Sequence, residues 1–204
     1  MSDEDTGLRR APERTTDRRL LRGARSRRAI LRRAVDMASL DGLDGLSFGV
    51  LATGSGMSKS GVQTLFGTKD NLQVATVECA GGVFDEVVVR PAGTAPRGAP
   101  RLRALVEAWI VYASEPLFPG GCFWAANQAA FDSRPGPVHD ALFAGRRGWR
   151  TLLAGELRHA GAADAELAAF QLDAVLVAAN TALRCGDGEA VEQVRRVTEN
   201  LLRK

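Results

Sequence analysis

The 204-residue chain is poor in the residue types on which many chemistries depend: three cysteines, two histidines, one tyrosine and 6% aromatics. Cys79, Cys122 and Cys185 stand apart, so they form neither a disulfide framework nor a paired CxxC zinc site. No apolar run reaches the length needed to cross a bilayer, because the longest uncharged stretch, residues 116–131, is interrupted by Pro119, Gly120, Gly121, Asn127 and Gln128. The opening Met1, Ser2, Asp3, Glu4, Asp5 lacks an apolar core for a secretory signal. A reducing cytoplasm and no membrane association are expected. Sustained β alternation is also missing, and the strand-like Val87 to Val89 ends a helical pattern.

What remains is helical periodicity and an uneven distribution of charge. The formal net charge is only +3, yet residues 1–33 carry 11 arginines against five acids. A basic leader therefore precedes a mildly acidic body. Residues 1–24 are polar and lack Val, Ile and Phe, which predicts a disordered Arg-rich arm. Such arms either bind nucleic acid or merely solubilise, and charge alone does not separate the two.

From Ser26 onward Ile30, Ala34, Met37 and Ala38 form an apolar stripe, with arginines opposite. Three hydroxyl residues suited to N-caps follow, Ser47, Ser58 and Thr68, which predict helices over 48–53, 59–66 and 69 to about 90. Leu46 with Leu51 and Met57 with Val62 have the spacing of hydrophobic staples. Residues 91–100 hold three prolines and two glycines and mark the clearest break. Beyond it, Leu102, Leu105, Val106, Trp109, Ile110 and Ala113 form one stripe, with further helices predicted over 122–131, 138–160, 164 to about 183 and 189–202. The expectation is an all-α chain of about nine helices.

Residues 47–66 read as two short helices joined by a turn containing Gly54 and Gly56, the sequence form of a helix-turn-helix. On the second helix Val62, Leu65 and Phe66 share one side, while Lys59, Ser60, Gln63 and Thr64 share the other. A small polar face of this kind fits a major groove, where Gln63 can offer its amide to adenine and Lys59 can reach guanine or phosphate. Ser47, Leu51, Ala52, Gly56, Met57, Ser58, Lys59, Ser60, Gly61, Phe66, Gly67, Lys69 and Leu72 together resemble the N-terminal domain of the tetracycline-repressor (TetR) family, most closely in residues 57–73. The stretch 118–142 is similar, more loosely, to one subgroup's effector domain.

That resemblance implies an N-terminal three-helix head over residues 25–80, an effector-binding and dimerisation domain over 81–204, and a homodimer through the last two helices. It implies a ligand-responsive regulator, by family preference a repressor, that binds a palindromic operator in double-stranded DNA and is released by a small, largely apolar effector. By position, Ser47 and Lys69 would hold phosphates, and Lys59, Ser60, Gln63 and Thr64 would face bases and backbone; Ser58 and Arg28 complete the candidate DNA-binding set. Two departures stand out. Gln63 and Leu65 occupy positions commonly aromatic in the family, and Gly49 and Gly54 each cost helix 2 roughly 0.5 to 1 kcal/mol against Ala.

Aromatics concentrate in one region. Trp109, Tyr112, Phe118, Phe123, Trp124, Phe131, Phe143 and Trp149, with Cys122, Asn127 and Gln128, are candidates for a mostly apolar ligand pocket or for core. No cofactor, metal site or catalytic residue is predicted, and the chain is not expected to be an enzyme. Two alternatives stay open. One is a dimeric interaction protein with a vestigial head. The other is a helical-bundle metalloenzyme, to which Glu156 and His159 give only one of the two Glu-x-x-His motifs that a di-iron bundle needs.

Overall fold

The computed structural model describes residues 13–115 and 117–203. Nine helices and no strand occur among them. Helix α1 is Glu13–Asp41, α2 Phe48–Ala52 and α3 Lys59–Phe66. Helix α4 starts as Lys69–Phe84 and runs on through a wider π-turn, Asp85–Val89, and the last turn Arg90–Ala92. Then come α5 (Ala99–Ser114), α6 (Phe123–Phe131), α7 (Pro137–His159), α8 (Ala165–Arg184) and α9 (Ala190–Leu202).

The first helix begins earlier than its apolar stripe. Residues 13–24, expected to be disordered, are helical, and the rest of that arm lies outside the described residues. Arg and Leu are strong helix formers, and extending a helix already nucleated by its packed half costs far less than starting one.

The three hydroxyl caps are in place. Ser47, Ser58 and Thr68 accept the N–H of Val50, Gly61 and Asn71 at 3.2, 3.1 and 3.1 Å. Between α2 and α3, Gly54 and Gly56 take φ of 78° and 69°, values that side chains resist. Gly54 therefore belongs to the turn, and only Gly49 weakens α2. Ile30, Ala34, Leu51, Val62 and Leu72 are all nearly inaccessible, which makes the head a small packed unit.

The break expected at residues 91–100 is shorter than its prolines suggested. Pro91 is accommodated inside α4 because the preceding turn is widened: Arg90 N–H donates to Asp85 O, five residues back. Proline lacks an N–H and crowds the carbonyl four residues earlier, and the wider turn relieves that conflict. Glu156 of α7 then fixes where α5 starts. Its buried carboxylate accepts Gly98 N–H at 2.7 Å and Arg97 Nε at 3.1 Å.

Helix α8 is long and apolar enough by composition to cross a membrane. One side of it is instead in the core, through Ala168, Ala169, Leu172 and Leu176. The apolar stripe of α9 is also spent inside the chain, since Val194 is fully covered and Thr198 nearly so.

Candidate functional site

All eight residues of the candidate DNA-binding set, Arg28, Ser47, Ser58, Lys59, Ser60, Gln63, Thr64 and Lys69, are exposed. On α3 the opposite face is closed off by Val62 and Phe66, with the Arg27 guanidinium 5.2 Å above the Phe66 ring. Several polar groups already have an internal task. Thr64 donates its hydroxyl to Ser60 O at 2.8 Å, and Ser58 and Ser60 share a 3.0 Å hydroxyl contact. Ser47 and Ser58 accept N–H bonds as caps, and Ser47 keeps its own hydroxyl proton for a further acceptor. Lys69 donates to Asp44 O at 2.8 Å, so one of its three N–H groups is used and two remain. Ser47, Lys59 and Lys69 converge on one shallow cleft of about 270 Å³. Two cations and a hydroxyl on a helix-start surface suit an anion.

A second, larger cavity of about 320 Å³ lies in the C-terminal part. Of the eleven candidate pocket residues, Trp109, Cys122, Trp124, Gln128 and Trp149 line it. The other six serve the surrounding structure. Phe123 is fully buried and Phe118 almost so; Tyr112 packs edge-on against Phe84, and burial pushes its phenol far above the ordinary range. Phe143 stacks on His139, Phe131 carries the Arg134 guanidinium 4.3 Å from its ring, and Asn127 is a buried linker.

Sequence reasoning missed most of the remaining wall. Gly81, Phe84, Asp85 and Val89 come from α4 at its widened turn. Gly145 and Arg146 come from α7, and Asp173 and Asn180 from α8. Gly145 has a specific steric reason: a Cβ there would lie 2.8 Å from Cη2 of Trp124. The available signal was a polar pair, Asp173 and Asn180, seven residues apart on one face of a largely apolar helix.

Head and cavity meet at one turn, the 3₁₀ segment Leu43–Gly45 between α1 and α2. Asn127 Oδ1 of α6 accepts Leu43 N–H at 2.7 Å, and Gln73 Nε2 of α4 donates to Leu43 O at 2.8 Å. Asn127 Nδ2 also donates to Ala38 O and Phe123 O, at 3.1 and 2.8 Å. Nearby, the backbone of Gly120 lies so close to α1 that a Cβ would fall 1.8 Å from Ser39 O, and Gly120 N–H donates to Ser39 Oγ at 2.9 Å. On the outside Arg134 grips the Asp44 carboxylate with both terminal nitrogens and holds its carboxyl below the usual range.

Glu156 and His159 do not converge as metal ligands. Burial opposes the charge on Glu156, but the Gly98 N–H together with Arg97 and Arg101 outweighs it and holds the carboxyl below its ordinary range. His159 is exposed and bonds to Gly155 O.

Residues 98–198 match a family model described as the tetracyclin repressor-like C-terminal domain. No curated protein matches the chain. Among solved structures, a TetR-family transcriptional regulator from Streptomyces coelicolor superposes with a TM-score of 0.76 at 22% identity, covering 88% of this chain and 94% of its own. A TetR regulator from Chloroflexus aurantiacus gives 0.76 at 18% identity, with 89% and 94% covered. AibR, solved with isovaleryl coenzyme A and operator DNA, gives 0.65 at 18% identity, with 87% and 96% covered. At these identities the likeness is one of fold.

Proposed function

The chain belongs to the TetR family of transcriptional regulators, and on that premise we propose that it is a ligand-responsive repressor that binds a two-fold symmetric operator as a homodimer. The observation that carries this reading is the double grip on Leu43. Helices α4 and α6 both line the cavity and both hold the turn that leads into α2 and α3. A ligand that alters the spacing of α4 and α6 thereby alters how the head is held. To release DNA it must bind better to the arrangement that does not fit the operator, with a coupling of about 1 to 3 kcal/mol.

On this reading residues 25–80 form the DNA-binding domain and 81–204 the effector and dimerisation domain. Gln63 and Lys59 read base edges. Ser47, Ser58, Ser60, Thr64, Lys69 and Arg28 contact backbone. The exposed stripe Leu167, Phe170 and Val177 on α8 supplies the apolar centre of the dimer, with α9 contributing a polar rim. The N-terminal arginines extend the basic surface toward phosphate.

The test is selection of bound fragments from the source organism's genomic DNA by the purified full chain. A palindrome whose half-sites lie about 34 to 36 Å apart, or a multiple of it, is expected. Absence of any enriched site overturns the reading in favour of an interaction protein with a vestigial head.

A further inference from the structure

The charges around the C-terminal cavity cancel, and this narrows the ligand beyond the ligand-responsive reading above, on which the inference rests. The charged side chains among the described residues of its wall are Asp85, Arg146 and Asp173. Buried Asp173 is paired, since Nε and Nη2 of Arg146 each lie 3.1 Å from its Oδ2. Asp85 faces Arg90 one turn further along α4, with Nη2 3.7 Å from its Oδ2. A charged ligand of either sign therefore finds no free partner and disturbs a balanced pair. Bringing an unpaired charge into an apolar space is strongly disfavoured.

What the wall keeps is hydrogen-bond donors. With Nε–H and one Nη2 hydrogen on Asp173 and one Nη1 hydrogen on Gln128 Oε1 at 2.9 Å, Arg146 retains two of the five N–H groups of a guanidinium. Asp173 and Gln128 hold the guanidinium plane in place, so the remaining donors are preorganised for a ligand. An anion could take them too, but it would set a second negative group on a guanidinium already shared with buried Asp173. A neutral acceptor takes the same N–H groups without that repulsion, and a bond from a charged donor is among the stronger ones.

The rest of the space is aromatic. Trp109, Trp124 and Trp149, all the tryptophans of the chain, line it together with Phe84, whose ring stands edge-on to Trp149 at 5.2 Å between centres. Indole faces and edges reward a flat ring over a puckered one of the same size. We propose that the effector is a neutral, flat aromatic carbonyl compound whose rings lie among the indoles while its carbonyl oxygen accepts from Arg146.

The experiment titrates acetylnaphthalene into the full chain at neutral pH by calorimetry, beside four probes substituted at the same ring position. Isopropenylnaphthalene keeps the shape but has no acceptor, naphthoate and naphthamidinium carry opposite charges, and acetyldecalin keeps the ketone on puckered rings. Acetylnaphthalene is expected to bind about tenfold tighter than each of the others. Arg146→Met combined with Asp173→Leu removes the guanidinium and its buried partner together. In that variant the ketone should fall to the affinity of the isopropenyl compound, which itself should not change. Should the variant fail to fold by circular dichroism, the ranking on the wild-type chain decides alone. Any of the four binding as tightly as the ketone, or a ketone advantage that survives in the folded double variant, overturns the proposal. Operator binding is measured on the same samples. Intact operator binding with no preference for the ketone rejects the ligand class and leaves the regulator reading standing; ketone preference without any operator binding does the reverse.

Discussion

Asn127 and Leu43 are 84 residues apart in sequence, yet the Asn127 side chain accepts the Leu43 N–H at 2.7 Å in a fully buried setting. This bond joins the short helix that walls the cavity to the turn that launches the helix-turn-helix. Gln73 holds the carbonyl of the same residue, so neither backbone group of Leu43 can shift without breaking a buried bond. Packed interiors deform in steps rather than smoothly, which makes such a doubly held residue a place where two arrangements can be distinguished.

Replacing Asn127 with Leu orphans the Leu43 N–H and removes a donor from Ala38 O and Phe123 O. Each buried unsatisfied group costs about 1 to 3 kcal/mol, so a loss of about 2 to 5 kcal/mol in urea unfolding is expected. Gln73→Leu should cost less, since it removes one bond. In either variant that remains folded, ligand affinity should hold while the ligand's effect on operator affinity shrinks. An undiminished effect in both would show that coupling runs elsewhere.

Gly145→Ala places a methyl group 2.8 Å from Cη2 of Trp124. The indole, which lines the cavity, must then shift within it. Overpacking of this kind costs about 1 to 3 kcal/mol. Ligand affinity should fall at least about tenfold while operator binding persists, since the head is not touched. Equal affinity in a calorimetric titration would mean that Trp124 has another way to turn.

Helix α3 was legible in the sequence because the local signals agreed: Ser58 as cap, Met57 before it, Val62 and Phe66 inward. The start of α1 was not, since residues 13–24 have no apolar stripe of their own and are helical as an extension of a packed segment. The cavity was half legible. Clustering of aromatics in sequence identified the right region, but which ring faces the space depends on how α4, α5, α6 and α7 pack. Phe123 and Trp124 are neighbours in the chain, and one is core while the other is wall. Asn127 and Glu156 were visible as polar residues on largely apolar faces, yet their partners, Leu43 and Gly98, lie far away in sequence and could not be inferred from it.

Glu156 gives the fold an acid-sensitive anchor. Its carboxyl is held below its unfolded value, near 4.5, so its stabilisation is complete above that value and fades as pH falls through the folded one. Glu156→Gln keeps the shape but loses the charge that Arg97 and Arg101 face. Removing one partner from a buried pair is expected to cost about 3 to 5 kcal/mol at neutral pH, somewhat less here because Arg97 is half exposed. The gap between wild type and variant should close on acidification in denaturation curves taken across pH. A gap that stays constant would mean the carboxylate acts through shape alone.

On the head, base reading and positioning separate by their salt dependence. Gln63→Ala should relax specificity at one operator position by about 1 to 3 kcal/mol and leave the salt slope unchanged. Lys69→Ala should weaken all sequences alike and lower the slope of log K against log salt by about one. Lys69 also holds Asp44 O, a bond that both Ala and Met lose; Lys69→Met retains the apolar stem and so controls for lost packing alone. A changed sequence preference in the lysine variants would contradict the phosphate assignment.

On the proposed reading, two copies pair through α8. Leu167, Phe170 and Val177 are 52%, 53% and 44% exposed on one face, while the apolar residues of α9 are used within the chain. Arg150 lies 5.3 Å over the Phe170 ring and shields part of it, so the exposed apolar face is narrow and its energy concentrates in few side chains. Phe170→Asp should convert the dimer to a monomer in sedimentation at micromolar concentration, with the helical circular dichroism retained because the side chain supports no internal packing. Operator affinity should fall with it, since each monomer holds only one recognition helix. Val191→Asp on α9 should leave the dimer in place but lower stability, as this half-buried residue packs on the core of its own chain. The reverse result, dissociation by the α9 substitution with Phe170→Asp still dimeric, would move the interface to the last helix.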